Sequence, residues 1–345
     1  MKKFFTIIFT IIYFSAFSQV GGLHTYSFLE LANSSRVAAL GGNFLSINDD
    51  DITLVYANPA LINKDMSTKF ALNYLNYFTD ISAGFVSYGQ HFEKAGTFVA
   101  TLQFIDYGTF TETDAKGNVF GNFNAGEYAF SLGWAKKLST RLNLGADIKN
   151  IYSHLNSYTS YGMAMDVAAN YFIKEKDFSS SLIFSNIGRQ ISTYNGINEA
   201  IPFNIKLGAS KRFEHAPLRL ILLADNLQKW DLTYSDPNIA VEIDPFSGAV
   251  INKKTSWNFG DKLMRHIALG AEFAPGKGNF ALRLGYNYRR RQEMKIASRG
   301  AMVGFSWGFG FKVYKLHLSY GRATYSLAGA SNNITITTNI SDFLK

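Results

Sequence analysis

Residues 280–288 read Phe-Ala-Leu-Arg-Leu-Gly-Tyr-Asn-Tyr. Phe280, Leu282, Leu284, Tyr286 and Tyr288 fall on one face, and Ala281, Arg283, Gly285 and Asn287 on the other. A strict period of two belongs to an extended strand, not to a helix. The same reading works outward in both directions. In 301–311, Val303, Phe305, Trp307, Phe309 and Phe311 oppose Gly304, Ser306, Gly308 and Gly310. In 141–148, Leu142, Leu144, Ala146 and Ile148 oppose Arg141, Asn143, Gly145 and Asp147. In 203–210, Phe203, Ile205, Leu207 and Ala209 oppose Asn204, Lys206, Gly208 and Ser210. One face is apolar and aromatic, and the other is polar or small, which leaves room inside.

Runs of this kind predict about fourteen strands, near 69–77, 81–92, 95–106, 125–137, 141–153, 158–172, 177–187, 200–213, 217–230, 263–274, 277–290, 298–311, 313–325 and 332–342. Each is long enough for a tilted membrane-crossing strand of about 9–11 residues. Near 217–230 the pattern is less clean, because Ile221 and Leu223 oppose Leu218, Leu220 and Leu222 and make part of the inner face apolar. The connections alternate between short turns and longer segments, the latter including 107–124, 188–199, 231–262 and 291–297. Outer-membrane barrels alternate in this way, with short periplasmic turns and long external loops. The fold class expected is all-β, a transmembrane antiparallel β-barrel of about fourteen strands. A sheet in lipid cannot leave an edge unpaired, so the last strand must pair with the first. Ile334, Ile336, Thr338 and Ile340 then form the outer face of that last strand.

Composition agrees. The chain has 30 Phe, 19 Tyr and 4 Trp, enough to supply aromatic girdles at both membrane interfaces. It has no cysteine, which excludes disulfides, thiolate metal sites and a cysteine nucleophile. Lys2 and Lys3 precede an apolar run from Phe4 to Phe14, and Ala16-Phe17-Ser18 offers a small-residue cleavage site before Gln19. This reads as a secretory signal peptide over 1–18. Its loss lowers the formal charge from +8 by two lysines to +6, too spread out to name a partner. A plug segment over 19–66 and a barrel over 67–345 complete the expected organisation.

Catalytic patterns fail on context. Gly304-Phe305-Ser306-Trp307-Gly308 matches G-x-S-x-G, but it lies within an alternating strand and not at a strand–turn–helix elbow. The six histidines have no metal-ligand spacing, and no glycine-rich loop opens a helix. No enzyme activity, cofactor or metal is expected. Asp49-Asp50-Asp51 lacks the EF-hand arrangement and reads as a cap for the next segment or a solvated run. The alternation turns Asp147, Lys149, Asp166, Lys206, Arg219, Asp225, Glu272, Arg283, Lys315 and His317 inward, as paired charges around a plug or a wetted lumen. Arg289, Arg290 and Arg291 end a strand on the external side, where lipopolysaccharide phosphates are candidate contacts. The longest loop carries Phe246, Trp257 and Phe259, which suit either a partner-docking surface or a lid over the mouth.

The segment ahead of the strands holds Arg36, Gly41-Gly42-Asn43-Phe44, Asp49-Asp50-Asp51 and Asn58-Pro59-Ala60. This resembles the hatch motif R-x-x-x-x-G-G-x-F…D-D…N-P-A of the fatty-acid-transporter-like outer-membrane barrels, and most closely the PorV/PorQ family of the type IX secretion system. The lead-in Gly21 to Leu29 is also similar to that subgroup. The resemblance implies a plug built on Arg36, Gly41, Gly42, Asp49, Asp50, Asn58 and Pro59, and a location in the Gram-negative outer membrane. It further implies a non-enzymatic role, holding a PorZ-like surface protein beside PorU and PorV while cargo is joined to lipopolysaccharide. The alternative is a fatty-acid-transporter-like channel for hydrophobic small molecules. Gly41 and Gly42 are expected to make a tight turn, and Pro59 to end a local helix.

Overall fold

The computed structural model describes residues 24–42, 46–77, 80–233, 242–243, 250–251, 258–276, 279–294, 302–324 and 329–344. Its wall strands are β1 (Lys69–Asn76), β2 (Ser82–Phe92), β3 (Gly96–Thr113), β4 (Val119–Lys137), β5 (Leu142–Leu155), β6 (Tyr158–Ile173), β7 (Phe178–Ser192), β8 (Asn204–Arg212), β9 (Leu218–Ala224), β12 (Ile267–Phe273), β13 (Phe280–Asn287), β14 (Phe305–Val313), β15 (Leu316–Thr324) and β16 (Ala330–Asn339). A separate two-stranded sheet joins β10 (Glu242–Ile243) to β11 (Val250–Ile251). The fourteen wall strands form a closed antiparallel barrel in chain order, with β9 beside β12. Closure is made by β1 on β16, from Lys69↔Asn339 to Asn76↔Asn332, so every wall strand has two neighbours.

The alternation sorts side chains as expected. In β4, Tyr128, Phe130, Leu132 and Trp134 are exposed on the outside, while Glu127, Ala129, Ser131 and Gly133 are buried inside. On β9 the inward face is Arg219, Ile221 and Leu223, so this part of the lumen is apolar above a single guanidinium. No helix among the described residues is long and apolar enough to cross a membrane. With an even strand number β1 begins and β16 ends at one rim, the periplasmic one, and the other rim is external.

Several boundaries differ from the alternation reading, the largest of them at the external rim. The stretch 107–124 is not a loop, because β3 and β4 stay paired out to Thr113↔Val119, beyond a bulge between Asp106 and Thr109. By contrast β8, β9, β12 and β13 stop early. Arg289, Arg290 and Arg291 do not end a strand: they lie in a helix, which we number with the others as α1 (Ser35–Ala39), α2 (Phe259–Arg265) and α3 (Tyr288–Met294). Alternation continues on paper past Asn287 because Tyr288 is aromatic, but Asn287 Oδ1 accepts from Arg290 N at 2.9 Å and turns the chain into α3.

Candidate functional site

Residues 24–42 and 46–66 fill the lumen as a hatch made of one short helix and four 3-10 turns, with no strand paired to the wall. Local polar side chains begin α1 and three of the four turns. Ser34 caps α1 through Val37 N, Asp51 caps 52–54 through Thr53 N, Asn58 caps 59–61 through Ala60 N and Asn63 caps 64–66 through Asp65 N. Pro59 therefore does not end a helix. It starts a turn, where its fixed φ fits and its missing N–H costs nothing. α1 ends at Gly41 and Gly42, which adopt φ of 98° and 94°, and Gly42 N returns to Val37 O at 3.0 Å.

The hatch runs through the lumen from one rim to the other. At the external end Thr25 N donates to Ala200 O in the β7–β8 connection at 3.0 Å. Tyr26 packs its ring against Gly162, near the top of β6. At the periplasmic end Met66 lies against Gly89 of β2. Between them the wall opens seats of glycine: Gly145 for Pro59 and Ala60, Gly285 for Leu40 and Gly41, Gly308 for Ala39, and Gly321 for Ser35. A Cβ at Gly145, Gly285 or Gly321 would strike hatch backbone. Ser306, the centre of the G-x-S-x-G match, donates to Ala39 O at 3.0 Å and is one of these seats. Apolar packing completes the fit, with Val37, Leu40, Ile47, Leu54 and Leu61 of the hatch against Ile183, Ile221, Leu223 and Ala268 of the wall.

One ionic cluster ties hatch to wall near the periplasmic rim. Arg36 grips Glu272 of β12 with two parallel bonds, Nε to Oε2 at 2.9 Å and Nη2 to Oε1 at 2.8 Å. Its Nη1 meets Asp49 at 2.8 Å and Asp51 at 3.0 Å. Glu272 also accepts from Arg219 of β9 at 3.2 Å and from Arg283 of β13 at 2.8 Å, and Arg219 lies 3.6 Å from Asp49. Three guanidinium groups thus face three carboxylates in a site buried at Glu272 and partly open at Asp49 and Asp51. Asp50 pairs outside the cluster, with Lys69 at the start of β1. The Asp49–Asp51 run is thus a set of hatch fastenings together with a cap.

A second inward cluster lies on β5, β6 and β7. Lys149 Nζ donates to Asp166 at 2.7 Å and to Asn186 at 3.0 Å, and stands 4.7 Å from the centre of the Tyr56 ring. Tyr56 in turn donates to Gln103 of β3. Asn58 Nδ2 reaches Ser181 of β7 at 3.0 Å. The hatch therefore engages the wall around most of its circumference.

Of the remaining candidates, Phe259 and Arg289 to Arg291 lie at the external rim. Phe246 and Trp257 fall outside the described residues. Phe259 begins α2, is largely exposed, and stacks obliquely on Trp230 at 5.3 Å. α2 is tied to α3 by Tyr288, which donates to Asp261 at 2.8 Å, while Arg265 donates to Asp261 at 2.7 Å within α2. Arg289, Arg290 and Arg291 are half-buried, with Arg290 beside Gly42 and Arg289 Nε 3.7 Å from Glu293. Among the described residues no group of three or more His, Asp and Glu could hold a metal.

The fold is shared with solved channels. The CymD monoaromatic hydrocarbon channel aligns over 90% of this chain and 98% of its own, at 11% identity and a TM-score of 0.52. The ΔS2S3 mutant of the TodX monoaromatic hydrocarbon channel aligns over 90% and 99%, at 11% identity and a TM-score of 0.50. A Pseudomonas aeruginosa FadL homologue aligns over 89% and 98%, at 10% identity and a TM-score of 0.47. No family profile matches the chain, and no curated protein sequence does. The chain shares the closed antiparallel barrel architecture of the CymD and TodX channels.

Proposed function

We propose that this barrel is an outer-membrane channel for hydrophobic small molecules, closed at rest by its hatch. The observation that carries the reading is the hatch's independence from the wall. The barrel closes through β1 and β16, and the hatch is held by side chains, an ionic cluster and a backbone bond from Thr25 to Ala200, without a strand in the sheet. It can shift without breaking a bond between wall strands. The seam it would open runs past Ile183, Ile221, Leu223 and Ala268, an apolar path suited to apolar cargo. The similarity to monoaromatic hydrocarbon channels supports the same class of solute. The test is uptake of a labelled monoaromatic hydrocarbon by vesicles that carry the purified protein. Wild-type uptake above protein-free vesicles supports the reading, and uptake equal to them defeats it.

A second reading is a PorQ-like component of the type IX secretion system that holds a PorZ-like surface protein, with PorU and PorV, for attachment of cargo to lipopolysaccharide. It is favoured by the hatch motif and by the paired extension of β3 and β4 beyond the external rim. Deletion separates the two: loss of cargo attachment with hydrocarbon uptake intact supports the second reading, and the reverse supports the first.

A further inference from the structure

β7 carries one residue more than its pairing with β6 needs. The register shifts between Met165↔Ile187 and Val167↔Phe184, so Ser185 and Asn186 both lie opposite Asp166. Both are 3% exposed, and Asn186 takes a φ of 56°, in the left-handed region that asparagine tolerates. A bulge of this kind re-aims a side chain at a cost in wall pairing. Here it brings the Asn186 carboxamide to Lys149 of β5, across the whole width of β6.

Three groups meet there as a nucleophile, a proton acceptor and an acyl group. Lys149 Nζ donates to Asn186 Oδ1 at 3.0 Å, which places the amine beside the carboxamide carbon. The same Nζ donates to Asp166 Oδ2 at 2.7 Å, so a base stands within reach of its proton. The other oxygen of Asp166 accepts from Asn186 N at 2.7 Å and holds the carboxylate between the two side chains. Asn186 Nδ2, on the leaving side, is fixed by its bond to Pro202 O at 3.0 Å.

Water is kept out. Lys149 and Asp166 are 2% and 1% exposed, and the Tyr56 ring of the hatch stands 4.7 Å from Nζ. In so enclosed a site water does not compete with the amine for the carboxamide.

We propose that Lys149 and Asn186 become joined by an isopeptide bond that the folded barrel forms by itself. The Lys149 ammonium passes one proton to the Asp166 carboxylate. The freed amine attacks Cγ of Asn186, its next proton moves to Nδ2, and the Cγ–Nδ2 bond breaks with release of one ammonia. The products are a neutral secondary amide and a protonated Asp166, so atoms and charge balance and no oxidant or second substrate enters. Loss of the ion pair favours these products, because charges held away from water are costly. The distances above are those of the reactants, and the bond would tie β5 to β7 over β6. The inference goes beyond the channel reading and holds whether or not the lumen conducts.

Peptide mass spectrometry on the protein from native outer membranes tests it. Trypsin does not cut after an acylated lysine. The expected species is therefore 142–174 joined to 177–189 through Lys149 and Asn186, lighter by one ammonia than the two peptides together. Linear 142–149 and linear 177–189, with no joined species, overturn the proposal. Asp166→Asn keeps the size of the side chain but removes the proton acceptor, and should return both linear peptides from a barrel that retains its heat-modifiable mobility. Joined peptides in that variant overturn the role given to Asp166. Should the variant fail to fold, the wild-type digest decides alone.

Discussion

Arg36→Met separates the hatch from the wall with the least damage to either. The substitution keeps the long aliphatic stem but deletes the double bond to Glu272 and the contacts to Asp49 and Asp51. Glu272 keeps Arg219 and Arg283, so the wall stays neutralised, while two hatch carboxylates lose their main cation. The hatch carboxylates left behind are 26% and 21% exposed, and Asp49 keeps Arg219 at 3.6 Å, so the loss falls below that of a fully buried pair, at about 2 kcal/mol. At about 1.4 kcal/mol per decade, the displaced-hatch population should rise roughly 30-fold. The assay uses the lack of native cysteine. A single Val37→Cys, at a position with no solvent exposure, is labelled by a soluble maleimide only when the hatch moves. The labelling rate should rise by that factor in Arg36→Met, while heat-modifiable mobility of the barrel is retained because β1–β16 closure does not involve Arg36. Arg36→Met with Glu272→Met should fall nearer wild type than Arg36→Met alone, since two cations and two anions remain and apolar replacement of a buried pair is often close to neutral. An unchanged labelling rate in the single variant would refute the idea that this cluster holds the hatch.

Other outcomes follow from the same contacts. Gly145→Val places a side chain into the backbone of Pro59 and Ala60 and should also raise Val37→Cys labelling, whereas Gly121→Val, on β4 where the nearest atom is Glu112 Oε2 at 3.9 Å, should not. Lys149→Met strands Asp147 and Asp166 in a sealed site and should lower the thermal unfolding temperature, with Asp166→Asn recovering part of the loss. Asn58→Ala removes a cap and a bond to Ser181 and should cost about 1 kcal/mol of hatch stability, measured as a smaller labelling increase than Arg36→Met gives. At the tip of the β3–β4 pair, bonds from the Asn118 side chain and backbone hold the Asp114 carboxyl below its ordinary range. Its contribution is therefore present above about pH 4 and lost as pH falls further, so the Asn118 amide resonance should stay fixed at pH 5 and move only below that window.

The wall was legible because a membrane barrel imposes one rule on every strand: apolar outward, polar or small inward. Where lipid no longer enforces that rule, the reading failed. Thr109–Thr113 and Val119–Asn124 stand in water on both faces, so no alternation marked them as strands. Tyr288 continued the pattern of β13 by chance, and a cap on Asn287 overrode it. For the hatch, the motif residues could be named from sequence, but not their partners. Arg36 and Glu272 are 236 positions apart, and only barrel closure brings β9, β12 and β13 around the same guanidinium. The inward glycines were readable as space; that Gly145, Gly285 and Gly321 each receive a different part of the hatch was not. The one usable signal for the latch was a cluster of inward Arg and Glu on neighbouring strands opposite a segment carrying both signs of charge.

The most direct test of hatch-gated transport is a reversible lock. Ser35 N donates to Thr335 Oγ1 at 2.8 Å, which places the hatch beside β16, so in a chain with no other cysteine Ser35→Cys and Thr335→Cys can be bridged by a short bifunctional methanethiosulfonate through reducible disulfides. Vesicles carrying the double variant should take up a labelled monoaromatic hydrocarbon when reduced, lose at least tenfold of that rate when bridged, and regain it on reduction. Equal uptake in both states would contradict gating by the hatch, and no uptake in either state or in wild type would contradict the channel itself.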